Sequence, residues 1–164
     1  MSRITITFEQ FLNDIQPDLH GFVQDLHDFL TENSCRASFE VKKTGLFGGY
    51  KHTKTKKSVA NILCKKHALL VRIYGSHTSG YSDFLGTLPD EMVESIRKAS
   101  PCKKLIDKSC KLVCTGYDFT IGGEHFQKCI YNCFAFEVTK ESKSFIQAFV
   151  EHEIKEISNR SVAL

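Results

Sequence analysis

Residues 35–74 read CRASFEVKKTGLFGGYKHTKTKKSVANILCKKHALLVRIY and alternate between apolar and polar side chains over much of their length. Cys35, Ala37 and Phe39 are separated by polar residues, which is the two-residue period of a strand with one buried face. Three further strands are predicted over residues 49–53, 57–64 and 68–74. Because short connections favour neighbours in space, we expect a four-stranded antiparallel meander with Cys35 in the core.

The turns of this region carry its glycines and lysines. The glycines of TGLFGGY (44–50) are expected to form a turn or bulge before the second strand, and KHTKTKK (51–57) is expected to join the second strand to the third.

A helical pattern precedes the meander. Thr7 and Gln10 match a capping box, and apolar residues recur at helical spacing over 8–30. Pro17 cannot continue an uninterrupted helix, so we expect two helices that are separated at Gln16.

Two more helices are predicted after the meander. Thr87 is expected to cap a helix that ends near Lys98, and a closing helix spans about 141–158. The expected fold is therefore α+β: an antiparallel β-meander packed by N-terminal and C-terminal helices. We expect one domain over residues 1–164.

Residues 101–138 hold five of the seven cysteines. We expect them to form a cysteine knuckle and a second β-hairpin within the domain. The hairpin strands are predicted over 117–121 and 125–138, and Gly122-Gly123 between them supplies the positive φ angles of the turn.

Cysteine spacing in this region indicates a metal site. Cys110 and Cys114 are separated by three residues, so their thiolates can converge on one tetrahedral ion at about 2.3 Å each. Cys129 and Cys133 have the same gap, but in the predicted strand their thiols would lie roughly 13 Å apart. The predicted ligands are therefore Cys102, Cys110, Cys114 and Cys129. Four thiolates leave no open position, which favours structural zinc; His125 or Cys133 in place of Cys102 remains an alternative.

Composition and the N-terminal residues indicate the cellular compartment in which the protein is expected. The 164 residues are 41% hydrophobic and 25% charged, and no apolar run approaches the roughly 20 residues that span a bilayer. The first ten residues, MSRITITFEQ, lack the basic-then-apolar plan of a signal peptide. We expect a cytoplasmic protein without a membrane partner, in which seven clustered cysteines favour metal binding over disulfides.

A loop after the meander is the candidate ligand cleft. Residues 75–86, GSHTSGYSDFLG, combine hydrogen-bonding groups with aromatic faces. The predicted cleft residues are Arg72, Tyr74, His77, Tyr81 and Asp83. The competing interpretation is that the tyrosine and aspartate side chains of this loop only satisfy one another.

Charge is unevenly distributed although the net charge is only +3. Residues 41–67 contain eight lysines and no acid, whereas residues 8–33 contain six acids and no lysine or arginine. Such asymmetry produces a face of positive potential. The candidate nucleic-acid contacts are Lys51, Lys54, Lys56 and Lys57. Solvated lysines on an edge hairpin that prevent aggregation are the alternative.

These patterns favour a non-enzymatic cytoplasmic domain with a structural zinc site that binds a small molecule or a partner protein. The first alternative is an enzyme that uses a cysteine or the metal, although the chain has no cysteine-protease, zinc-deaminase or phosphate-loop signature. The second alternative is weak nucleic-acid binding through the lysine-rich hairpin. The oligomeric state is left open.

Several motifs resemble a family of short uncharacterised proteins of low-GC Gram-positive bacteria. They are ALLVRIYG (68–75), LPDEMVESI, PCKKLID, the CxxxCxxGYDF run and GEHFQKCIYNCFAF. The resemblance covers nearly the whole chain and implies a four-cysteine knuckle at Cys102, Cys110, Cys114 and Cys129, with Cys133 outside it. The element order is also similar to the small α+β domains of the frataxin-like and YdhG-like group. The iron-chaperone role attached to part of that group implies little here, because this chain lacks an acidic helix-and-edge surface beyond the first helices.

Overall fold

The computed structural model describes residues 3–111 and 113–162. The strands in these residues are β1 (Ile4–Ile6), β2 (Cys35–Lys42), β3 (Gly45–His52), β4 (Ser58–Lys65), β5 (Ala68–Ile73), β6 (Tyr117–Ile121), β7 (Glu124–Lys128) and β8 (Ala135–Glu137). The helices are α1 (Phe8–Asn13), α2 (His20–Glu32), α3 (Ser82–Leu85), α4 (Asp90–Lys98), α5 (Lys103–Ile106) and α6 (Lys143–Val162).

Six strands form one antiparallel sheet in the order β1-β2-β3-β4-β5-β8, and β6 and β7 form a separate hairpin. Strands β2 to β5 are neighbours in chain order, so the predicted meander is confirmed. The α+β class with helices at both ends is confirmed as well. β1 and β8 extend the meander at its two edges.

The N-terminal helices begin as the sequence predicts. The Thr7 hydroxyl accepts a 3.1 Å bond from the Gln10 N–H, and the Gln10 side chain accepts a 2.9 Å bond from the Thr7 N–H. Pro17 opens a 3-10 turn that leads into α2. Thr87 was wrongly predicted as the cap of α4, because its hydroxyl donates instead to the Phe84 carbonyl at 2.6 Å. In the part of the chain that the structure describes, no helix has the length and apolar character needed to cross a membrane.

The glycines of β3 lie inside the strand and not in a turn before it. Gly48 faces Phe39, and a Cβ at Gly48 would lie 2.9 Å from the Phe39 ring. Because Gly48 has no side chain, the Phe39 ring of β2 can lie against the backbone of β3. The irregularity that the glycines suggested is a register shift between Tyr50 and Lys51.

The predicted strand over 125–138 is wrong because a turn divides it into β7 and β8. The Cys133 N–H donates to the Cys129 carbonyl at 3.0 Å, which closes the turn. Cys133 and Phe134 are both fully buried. Two consecutive buried residues do not fit a strand with one buried face, since successive side chains point to opposite sides.

Helices cover one face of the sheet, which we call the inner face. His27 of α2 lies 3.0 Å from the Tyr50 hydroxyl through Nδ1, and Phe149 of α6 packs against Phe136 with ring centroids 6.2 Å apart. Tyr50 and Phe136 are buried. This face carries the core of the sheet.

The opposite face, called the outer face below, follows from the same register. Two rows lie on it: Phe47-Leu63-Leu70 and Gly49-Asn61-Arg72. Phe47, Leu63, Leu70 and Arg72 remain partly exposed. The outer face is therefore accessible along the Phe47-Leu63-Leu70 row, whereas Gly49 and Asn61 of the second row are buried.

Candidate ligand cleft and cysteine corner

A cleft of about 440 Å³ lies between the meander and the cysteine-rich region. Its walls are the β3–β4 hairpin end, the end of β5, the loop before β6 and the turn between β7 and β8. The residues that line it are Lys57, Ser58, Tyr74, Ser76, Val113, Cys114, Thr115, Gly116, Tyr117, Ile130 and Tyr131. Clefts of this size hold small molecules.

The lining combines aromatic faces with one positive charge. Tyr74, Tyr117 and Tyr131 supply the rings, and Tyr131 is 42% exposed. Lys57 is the one charged side chain among the described lining residues. The aromatic rings can therefore stack on a planar ligand, and the lysine can pair with an anionic group of that ligand.

Two tyrosines of the cleft are held by neighbours from the sheet and the core. The buried Asn61 side chain donates to the Tyr74 hydroxyl at 3.0 Å, so the Tyr74 O–H is left to donate elsewhere. Burial raises the pKa of Tyr117, with a further contribution from Cys133, and keeps this phenol neutral.

The structure places the five predicted cleft residues in different surroundings. Tyr74 lines the cleft, whereas Arg72 lies on the outer face, and Asp83 is exposed on α3. His77 and Tyr81 turn toward α6 and contact Glu153. Of the five predicted residues, Tyr74 alone therefore lines the cleft, and its neighbour Ser76 lines it as well.

The sequence interpretation did not identify Glu153 as the partner of His77 and Tyr81. It is fully buried and accepts three hydrogen bonds: from the His77 N–H at 2.8 Å, from His77 Nδ1 at 2.8 Å and from the Tyr81 hydroxyl at 3.1 Å. Burial, and then the charge of Glu153, raise the pKa of Tyr81. The helical spacing of the sequence could have identified it, since Glu153 lies on the buried stripe of α6 together with Val150 and Ile157. A carboxylate at such a position needs a buried partner.

Two of the four predicted zinc ligands lie on adjacent chain segments. Pro101 pairs with Lys128, the Cys102 N–H donates to the Gln127 carbonyl at 3.0 Å, and the Cys129 N–H donates to the Ser100 carbonyl at 3.0 Å. Cys102 is buried and Cys129 is half-buried. We call this region the cysteine corner.

The loop that carries Cys114 reaches the cysteine corner through Gly116. A Cβ at Gly116 would clash with Cys102 Sγ, so the backbone two residues after Cys114 touches that thiol. Cys110 and Cys114 are half-buried, and Leu112 between them lies outside the described residues. Within residues 3–111 and 113–162, no three His, Cys, Asp or Glu side chains are arranged to hold a metal ion. The zinc site stays a prediction.

The two alternative ligands lie in contrasting places. Cys133 is fully buried in the core, and burial raises the pKa of its thiol. His125 is exposed on the β6–β7 hairpin, where Nε2 lies 2.6 Å from Asp118 Oδ1. The strand geometry that was used to separate Cys133 from Cys129 is wrong, because the two residues flank a turn.

The predicted nucleic-acid lysines lie at one end of the β3–β4 hairpin. Lys51, Lys54, Lys56 and Lys57 are exposed, and Lys56 has a positive φ of 60°. The buried His52 holds the turn by accepting the Thr55 N–H at 3.3 Å on Nδ1. Of these lysines, Lys57 also lines the cleft.

Comparison with known proteins found no matching family model, no similar curated protein and no similar solved structure. The resemblance to the Gram-positive family therefore stays a prediction.

Proposed function

We propose that this chain is a cytoplasmic binding domain whose cleft takes a small organic anion with a planar ring. The observation that carries the proposal is the lining itself: three tyrosines and one lysine, with no acidic side chain among the described lining residues.

Hydrogen-bond donors around the cleft favour an anionic group. The Lys57 ammonium, the Ser58 and Ser76 hydroxyls and the Tyr74 O–H all belong to the lining. Hydrogen bonds from an ammonium to a carboxylate or phosphate are stronger than neutral ones. The charged end of the ligand is therefore assigned to the side of the cleft formed by the meander.

The planar part of the ligand is assigned to the opposite side. Tyr131 is exposed next to Ile130, and Val113 is fully exposed on the loop before β6. Ile130 is half-buried against the core, whereas Val113 and much of Tyr131 are exposed, and a flat ring in the cleft would cover part of this apolar surface. A concave site of this kind favours a small molecule over a partner protein.

Structural zinc at Cys102, Cys110, Cys114 and Cys129 forms part of the proposal. Four thiols in one region suit zinc, and the contact between Gly116 and Cys102 supports it. Because the described side chains do not form such a group, binding would draw the Cys110 and Cys114 thiols inward. Zinc bound in this way would fix the loop that forms one wall of the cleft.

Calorimetric titration with indole-3-acetate and with its uncharged analogue tryptophol tests the proposal. Both carry the same ring, so a preference of about tenfold or more for the acetate reports the anion site, as expected for one charge-assisted hydrogen bond. Lys57→Gln should remove the preference. Lys54→Gln, at an exposed position of the same hairpin outside the cleft, is the matched control and should keep it. No binding of either compound, or equal binding of both, contradicts the proposal.

A further inference from the structure

The outer face of the sheet separates charge in a way that the sequence alone does not show. Cations on this face are Arg36, Lys42, Lys51, Lys65 and Arg72, and its acids are Glu40 and Glu137. Glu40 accepts from Lys42 at 3.0 Å and lies 3.8 Å from Arg3, so its charge is compensated. The six acids of residues 8–33 belong to the segment of α1 and α2, on the inner side of the sheet. The outer face therefore has more cations than acids, and the segment of α1 and α2 on the other side of the sheet is acidic.

Arg72 lies in the middle of this basic face with unused hydrogen-bonding capacity. Its Nε is buried and has no hydrogen-bond partner in the described part of the chain. No described carboxylate lies within 4.0 Å of its guanidinium, because Arg72 takes part in none of the ion pairs formed by residues 3–111 and 113–162. The side chain is nevertheless partly exposed, and the accessible part of a guanidinium that has no carboxylate partner can pair with a phosphate.

Next to Arg72 runs an apolar row that crosses three strands. Phe47, Leu63 and Leu70 are directly paired neighbours and partly exposed. The Lys42 ammonium lies 3.7 Å above the Phe47 ring. A flat base that stacked on Phe47 from this side would displace the ammonium, which also lies 3.0 Å from Glu40.

The geometry points to single-stranded nucleic acid as the occupant of the outer face, with phosphates on Arg36, Lys51 and Arg72 and bases against the Phe47-Leu63-Leu70 row. A basic surface alone fits any polyanion, but among the nucleic acids a strand with unstacked bases can also cover the apolar row. Four-stranded antiparallel sheets are known to stack two or three bases on aromatic side chains, and in this row Phe47 supplies the aromatic ring. The inference does not depend on the cleft, because none of these residues lines it.

Fluorescence anisotropy with labelled ten-nucleotide oligouridine tests the inference. The Arg36→Glu/Lys51→Glu variant should bind at least about tenfold more weakly and should lower the salt slope by roughly 1.4, which is 0.7 for each lost phosphate contact. The matched control is Lys140→Glu/Lys155→Glu, which changes the net charge equally at exposed positions away from the outer face. It should change the affinity by less than about twofold.

An abasic oligomer of equal length tests the apolar row without altering the protein. It should bind at least about fivefold more weakly than oligouridine, since base stacking contributes to affinity. Equal binding of the two oligomers overturns the inference. So does an equal loss in both double variants, or the absence of binding at low salt.

Discussion

Glu153 accepts two hydrogen bonds from His77, one from the backbone N–H and one from Nδ1, each at 2.8 Å. These bonds fasten the loop after β5 to α6, and that loop continues into the 3-10 turn that carries Tyr81. The position of Ser76 at the cleft is therefore set by a carboxylate that lies outside the cleft. The contact links the C-terminal helix to the candidate site.

Replacing Glu153 with alanine should lower the free energy of unfolding by about 3 kcal/mol, because two His77 donors and the Tyr81 hydroxyl lose a buried acceptor. Urea denaturation measures the change. Glu151→Gln, an exposed substitution two residues away on the same helix, is the control and should cost less than about 0.5 kcal/mol. Similar values for the two variants would show that the Glu153 contacts do not stabilise the fold.

Gly116→Ala should destabilise the protein more than Gly122→Ala. The φ angle is 69° at Gly116 and 54° at Gly122, so backbone strain should destabilise both alanine variants by about 1 kcal/mol. At Gly116 the added Cβ would meet Cys102 Sγ and the Leu105 side chain, whereas the space at Gly122 is open. We expect an additional cost of roughly 1–3 kcal/mol at Gly116, from chemical denaturation. Equal costs would contradict the close contact at the cysteine corner.

Stability should decrease as the pH falls from 7.5 to 5.5. Burial lowers the pKa of His27, against a smaller opposing effect of Asp28, and burial followed by Lys54 lowers the pKa of His52. As the pH falls below about 6.5, the unfolded chain takes up these protons first, so the folded state loses stability. His27→Phe, which keeps an aromatic ring beside Phe8, should reduce the loss.

The control for the pH experiment is His67→Gln, since His67 is exposed in the turn between β4 and β5. Its stability should depend on pH as the parent's does. A parent protein whose melting temperature is constant over this range would refute the assignment.

Zinc removal should destabilise the parent and leave the Cys110→Ser variant nearly unchanged. Metal binding is coupled to folding, so the difference between zinc-loaded parent and variant should reach several kcal/mol and vanish after chelation. Elemental analysis of freshly purified parent should find about one zinc per chain. Cys64→Ser, at a half-buried cysteine of β4 outside the predicted ligand set, is the control and should retain the metal. Parent protein without zinc, or equal melting temperatures of the parent and Cys110→Ser in the presence of zinc, would contradict the predicted zinc site.

Periodicity predicted the fold well where one face of an element is buried. The alternation around Cys35 and the break at Pro17 both follow from local rules, and both are present. The division between β7 and β8 could not be predicted from alternation, because Phe134 is buried by ring contacts with Phe149 and Tyr117, which come from distant parts of the chain.

The candidate site was predictable only in part for the same reason. Tyr74 was identified because it follows a strand and precedes a polar loop, but its cleft is completed by Thr115 and Tyr131, which lie far away in sequence. His77 and Tyr81 were predicted as cleft residues, but the structure turns them toward α6. Their partner Glu153 is 72 or more residues away, and no local pattern links such positions.

The most direct test of the central claim is an NMR titration of the ¹⁵N-labelled, zinc-supplemented chain with indole-3-acetate. We expect saturable shifts of the Ser58, Ser76, Thr115 and Tyr131 amides, which surround the cleft from four separate segments. Lys57→Gln should weaken these shifts at equal ligand concentration, and tryptophol should produce them only at about tenfold higher concentration. Shifts that are confined to other surfaces, or none up to about 5 mM ligand, would show that this cleft is not an anion-binding site.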